Sequence, residues 1–99
     1  MIAVRYVFDP VKDVSNRAKH GVSLALAEIL FAGPHVSVSD DRFDYGEARE
    51  VAFGVIHDRL FVCVSVDRTA ERDRTVERRI ISLRKANKRE VTRYGQGRE

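Results

Sequence analysis

The chain has one cysteine, no tryptophan, two prolines and no long apolar run. A single cysteine, Cys63, cannot close an internal disulfide, so the fold must be held by packing. It sits in Leu60-Phe61-Val62-Cys63-Val64, which reads as a buried strand with the thiol serving as a small core hydrophobe. No Cys/His spacing points to zinc, because His20, His35 and His57 are isolated from one another. The apolar runs are a handful of residues each, too short to cross a bilayer as a helix. Residues 1–10 carry Arg5 and Asp9 and lack the apolar h-region of a signal peptide, so a cytoplasmic location is expected. Neither a repeat nor a low-complexity segment is present.

What is there is a small, highly charged chain. Ninety-nine residues suit one domain, 1–99, and leave no room for a second. A chain of this size buries roughly 60–68% of its unfolded surface. Hydrophobic residues make up 43% and charged residues 33%, which fits a globular protein and not a disordered one. The formal net charge of +3 is unevenly placed. Residues 1–50 carry a net of −2 and residues 51–99 a net of +5. From Arg78 to Arg98 there are eight basic side chains against Glu90 alone, a net of +7 in 21 residues. Such a block attracts polyanions, nucleic acid first and an acidic protein second; a merely solvated charged face is the third reading.

Hydrophobic periodicity and turn chemistry divide the chain into elements. Ala3 to Phe8 is β-branched and aromatic and predicts a strand. Asp9-Pro10 opens a helix, with Asp9 as N-cap and Pro10 at the first helical position. Val11, Val14 and Ala18 recur along it at helical spacing, and Gly21 is placed to end it in the left-handed conformation. Ser23 caps a second helix, Leu24 to Ala32, which Gly33-Pro34 stops. His35 to Ser39 alternates as a strand, and Asp40 to Gly46 is a polar loop. Arg49 to His57, an Asp58-Arg59 turn, and Leu60 to Val66 form a hairpin. Asp67 to Arg74 reads as a charged loop and Thr75 to Leu83 as a further strand. Arg84 to Tyr94 has helix-forming residues and no breaker, with Gly95 to close it and a frayed tail from Gln96 to Glu99. The expected class is α+β: an antiparallel sheet with two N-terminal helices and one C-terminal helix.

The basic residues suggest a chemistry. RNA cleavage by the neighbouring 2′-hydroxyl needs a proton acceptor, a proton donor and cations around the phosphate, with no cofactor. Arginine fits the last role because its donor fork matches phosphate oxygens. Arg49 and Arg79 lie in expected strands, and Arg84 at an expected strand-to-helix junction. Histidine titrates nearest neutrality, so His20 is a proton-transfer candidate, although a helix-terminal histidine also serves the dipole. Glu47 is a candidate base or a salt-bridge partner of Arg49. Lys19 and Lys85 become proton donors only with lowered pKa values. Tyr94 offers a ring for a base to stack on, or for packing the last helix against the sheet.

Five strings in order carry a resemblance: Phe8-Asp9-Pro10; Lys19-His20-Gly21-Val22-Ser23; Gly46-Glu47 with Arg49; Arg79-Ile80-Ile81-Ser82-Leu83-Arg84-Lys85-Ala86; and Lys88-Arg89-Glu90 with Tyr94. From Phe8 to Tyr94 the chain resembles the BrnT family of bacterial toxins. The resemblance implies a RelE-like fold and a metal-independent ribonuclease that inhibits translation. It also implies a type II toxin–antitoxin pair. The partner would be a BrnA-type antitoxin that binds operator DNA, with toxin dimers in the complex. By motif position it implies Arg49, Arg79, Arg84, His20 and Glu47 as catalytic residues. Lys19 and Tyr94 become RNA contacts, and the neighbouring Lys85, Lys88 and Arg89 of the basic segment join them. Three departures from the family pattern stand out: Phe8 where tryptophan is usual, Leu83 where alanine is usual, and a longer, more charged segment from Asp67 to Glu77. The alternative function is a non-catalytic nucleic-acid-binding or protein-interaction module that uses the basic C-terminal region.

Overall fold

The computed structural model describes residues 3–40, 47–70 and 74–95. Five strands form one sheet in the order β1-β5-β4-β3-β2: β1 Ala3–Val7, β2 His35–Asp40, β3 Arg49–Ile56, β4 Arg59–Ala70 and β5 Thr75–Lys85. The sheet is mixed, which corrects the antiparallel expectation: β1 pairs parallel to β5, and the other pairs are antiparallel. The geometry follows from the path of the chain. After β1 it runs over one face through the helices and re-enters the sheet at the far edge as β2.

The first helix, α1 Pro10–His20, begins and ends as its caps dictate. The Val11 N–H donates to the Asp9 carboxylate at 2.8 Å, and Gly21 sits at φ 75° with its N–H donating to the Arg17 carbonyl. Its inward face is not the one the valines suggested. Val11 is 76% and Val14 60% exposed, and Ala18 is exposed too. The buried residue of α1 is Asn16. Its amide donates to the Leu83 carbonyl at 2.8 Å and to the Val22 carbonyl at 3.0 Å, and its oxygen accepts the Leu83 N–H at 3.2 Å. Because β1 pairs with β5 only from Thr75 to Arg79, the next stretch of β5 lacks a strand there. Asn16 supplies the peptide-like donor and acceptor that Leu83 needs.

The second helix begins as a 3₁₀ turn, Leu24–Leu26, and becomes α2 at Ala27–Ala32. The Asp13 carboxylate ties it to α1 by accepting the Leu24 N–H at 2.7 Å and the Ser23 hydroxyl at 3.0 Å. Both helices cover one face of the sheet. There Leu24, Ala27, Leu30, Ala52, Ile56, Phe61, Cys63, Ile80 and Leu83 form the main core, flanked by Tyr6, Phe8 and Phe31. Burial pushes the Cys63 thiol up to about 12, so it behaves as an inert hydrophobe.

Three further boundaries differ from the sequence reading. The β3–β4 turn is His57-Asp58, one residue earlier than expected, with both residues at positive φ as a two-residue hairpin demands. β4 runs on to Ala70, so Asp67 to Ala70 is strand, because Asp67 faces Arg78 and Arg68 faces Glu77 across the sheet. The region 84–94 is not one helix. Arg84 and Lys85 finish β5, α3 is a single turn Lys88–Glu90, and a π turn Val91–Gly95 follows. Of the expected polar loop Asp40 to Gly46, Asp40 ends β2, and 41–46 lie outside the described residues, as do 71–73 of the expected charged loop and the tail 96–99.

Candidate active site

The face of the sheet away from α1 and α2 carries the candidate site. Strand alternation assigns it. On β3, Ala52 and Ile56 enter the helix-side core, so Arg49, Val51, Phe53 and Val55 point to the other face. On β5 the parity is less simple. Residues 79 and 84 are five apart, and in a regular strand they would point to opposite faces. The β4–β5 register shifts at Val64/Ser65, where Val64 faces Ser82 but Ser65 faces Ile80. Ile81 is the extra residue of this bulge. Ile80 and Leu83 therefore both enter the helix-side core, and their neighbours Arg79 and Arg84 both emerge on the open face.

The open face holds two charged groups. At one end the Glu47 carboxylate accepts from Arg79 Nη2 at 2.8 Å and from Arg68 Nη2 at 3.3 Å. Partial burial raises the Glu47 pKa, but the Arg68 hydrogen bond and the charges of Arg79, Arg68 and Arg49 outweigh it, and the carboxyl is held below the usual glutamate range. Arg49 belongs to this group by position. Glu50 faces Ser65 and Arg79 faces Val66, so Arg49, Val66 and Arg79 stand in one row across three strands. The buried Nε of Arg79 has no hydrogen-bond partner.

At the other end Arg84 makes a two-pronged ion pair with Glu90, at 2.8 and 2.9 Å. Glu90 also accepts the Asn87 N–H, and the Asn87 side chain accepts the Glu90 N–H, a capping box that starts α3. The Arg84 bond lowers the Glu90 pKa against a smaller desolvation effect. Tyr94 then lays its ring on Phe53, with centroids 3.8 Å apart and planes 9° apart. Packing on the sheet is thus the role its position gives Tyr94, and one face of its ring is taken. Together with Leu60 and Val62 this makes a second, smaller apolar cluster.

The three arginines singled out from the sequence share one face but not one spot. Their β4 partners, Val66 for Arg79 and Val62 for Arg84, are four residues apart, which separates the two arginines by about 13 Å along the strands. Lys88 and Arg89 are exposed on α3 beside Arg84, whereas Lys85 falls by alternation on the helix side. Lys19 and His20 are in neither group. They are exposed at the end of α1 and line a groove with Lys12, Ser15, Ile81 and Ser82 beside β5. Arg68 went unnoticed in the sequence because Asp67 to Arg74 read as a loop. The signal that finds it is the pair of opposite charges facing each other in register, Asp67 with Arg78 and Arg68 with Glu77.

No helix among the described residues is long and apolar enough to cross a membrane. No curated protein matches the chain. The family model of the ribonuclease toxin BrnT of type II toxin–antitoxin systems matches residues 8–90, which include both charged groups and the bulge between them. The chain belongs to the BrnT family of ribonuclease toxins.

Proposed function

We propose that the open face of the sheet is the ribonuclease site, and that it cleaves RNA by internal attack without a metal. The 2′-hydroxyl oxygen attacks the adjacent phosphorus, the bond to the 5′-oxygen breaks, and a 2′,3′-cyclic phosphate and a 5′-hydroxyl result. Negative charge spreads over the phosphate oxygens during the attack, and guanidinium groups held on strands are suited to stabilise it. The observation that carries this reading is the gathering of Arg49, Arg68 and Arg79 around Glu47 on one uncovered face.

In this reading Arg49 and Arg79 grip the scissile phosphate. Arg84, Lys88 and Arg89 hold the strand on one side of it, and Lys19 and Lys85 meet RNA farther along. Tyr94 offers a base its remaining ring face. Glu47 is the proton-transfer group of this face, and His20, beside Lys19 at the end of α1, meets RNA with it. A helix-covered sheet with one basic open face also suits the RelE-like fold that the resemblance implies.

A type II toxin has an antitoxin protein as partner. We infer a BrnA-type antitoxin that covers the basic face, excludes RNA and carries the complex to operator DNA, with toxin dimers in the assembly. The purified chain, freed of partner and supplied with RNA in chelator, tests the activity. Cleavage should proceed, and Arg79→Ala should slow it by about 10²–10³-fold at unchanged thermal stability, the loss typical of one transition-state donor. RNA left intact by the wild-type chain, while binding weakens steeply with salt, would instead identify a non-catalytic binding module.

A further inference from the structure

Arg68 belongs to no motif that pointed to the site, yet it holds the same carboxylate as Arg79. The two oxygens of Glu47 are divided between them, Oε1 on Arg79 and Oε2 on Arg68. This is how two guanidinium groups would divide two non-bridging oxygens of a phosphate. The three side chains differ in their freedom. Glu47 is 25% exposed and Arg79 38%, while Arg68 is 63% exposed. The 3.3 Å contact from Arg68 is also the longer of the two. Arg79 is anchored in the middle of β5 and keeps a buried Nε–H with no partner. That donor belongs to the same guanidinium that grips the carboxylate, and a phosphate, larger and with more acceptor oxygens, is better able to satisfy it.

We propose that Arg68 and Arg79 form a phosphate seat which Glu47 occupies in the free protein, and that a phosphodiester of the RNA takes the place of the Glu47 carboxylate. The inference rests on the ribonuclease reading for the identity of the ligand, but the seat itself is a property of the geometry. A carboxylate in the seat keeps two like-charged guanidinium groups from repelling each other while no RNA is bound. It also raises the threshold for occupancy. A free anion without further contacts does not displace it, whereas a phosphodiester held by flanking contacts does. Arg68 is accordingly a phosphate-binding residue, and Glu47 acts first on binding.

Calorimetric titration with inorganic phosphate tests the seat directly. Glu47→Gln keeps the shape of the side chain and removes its charge, and it should bind phosphate at least about tenfold more tightly than the wild type. Adding Arg68→Ala to that variant should return the affinity to wild-type level or below. A single-stranded oligonucleotide lacking the 2′-hydroxyl, which binds without being cut, should follow the same order; a gain confined to inorganic phosphate would overturn the assignment to nucleic acid. An unchanged or weaker phosphate affinity in Glu47→Gln would overturn the seat. Arg68→Ala alone, on a mostly exposed side chain, keeps the question open to decision if Glu47→Gln misfolds: it should raise KM for RNA several-fold at constant kcat, and an unaltered KM would exclude Arg68. If the wild-type chain fails to cut RNA while Glu47→Gln still gains phosphate affinity, the seat stands and the ribonuclease reading fails.

Discussion

The two faces of the sheet are built on opposite principles. The helix-covered face joins Leu24, Leu30, Ile56, Ile80 and Leu83, each no more than 1% exposed, and its one buried amide, Asn16, is fully engaged. The open face carries a smaller apolar cluster around Phe53 and, beside it, arginines held by carboxylates. The first face gains from removing apolar area from water and has no reason to change. The second keeps charged groups half-exposed and in pairs that an anion can open. Stability and activity are therefore expected to respond to different substitutions, and the separation can be tested.

The largest effect is expected on the covered face. Leu30→Ala should cost about 2–5 kcal/mol, the usual range for truncating a fully buried leucine, and at roughly 4–8 °C per kcal/mol it should lower the melting temperature far beyond any open-face change. Cleavage per folded molecule should stay constant, as active-site titration against the folded fraction would show; a proportional loss of rate would mean the faces are coupled. Next comes Gly54→Ala. An added Cβ would lie 2.8 Å from Leu30 Cγ and 3.1 Å from His35 Cβ, so the close approach of α2 to β3 must open at a cost of about 1–3 kcal/mol. The same change made in the Leu30→Ala background should cost less, since the clashing group is gone, and denaturant melts of the four proteins would measure that coupling.

The smallest effect sharpens the other side of the comparison. The Glu90 pKa is lowered in the folded chain, so its pairing with Arg84 stabilises fully above the ordinary value of 4.5 and fades as pH falls through the lower folded value. For a partly exposed pair this is worth no more than about 1 kcal/mol. Acid titration should loosen the Tyr94–Phe53 stack, seen in tyrosine fluorescence, before the core unfolds. Glu90→Gln should erase that early step.

The sequence announced the first half of the chain well because its signals are local. Asp9, Pro10 and Gly21 mark α1 by chemistry that needs no tertiary contact, and Val51, Phe53 and Val55 alternate as β3 does. It announced the C-terminal end poorly for the opposite reason. Arg84 and Lys85 are good helix formers, but pairing with Val62 and Phe61 across the sheet overrides that preference. Asn87 and Glu90 did carry a capping signal three residues apart, and it would have placed the helix start at Lys88. The valines of α1 misled because helical spacing fixes which residues share a side, and not which side is covered. The common face of Arg79 and Arg84 was invisible for a different reason: it depends on how β4 and β5 count against each other.

That count has an evolutionary reading. The odd residue at Ile81 is the spare one: removing it would leave Arg79, Ile80, Ser82, Leu83 and Arg84 in plain alternation, with Leu83 still beneath the helices and Arg84 still outside. Relatives one residue shorter between these two arginines should therefore lack the bulge and keep both arginines on the open face.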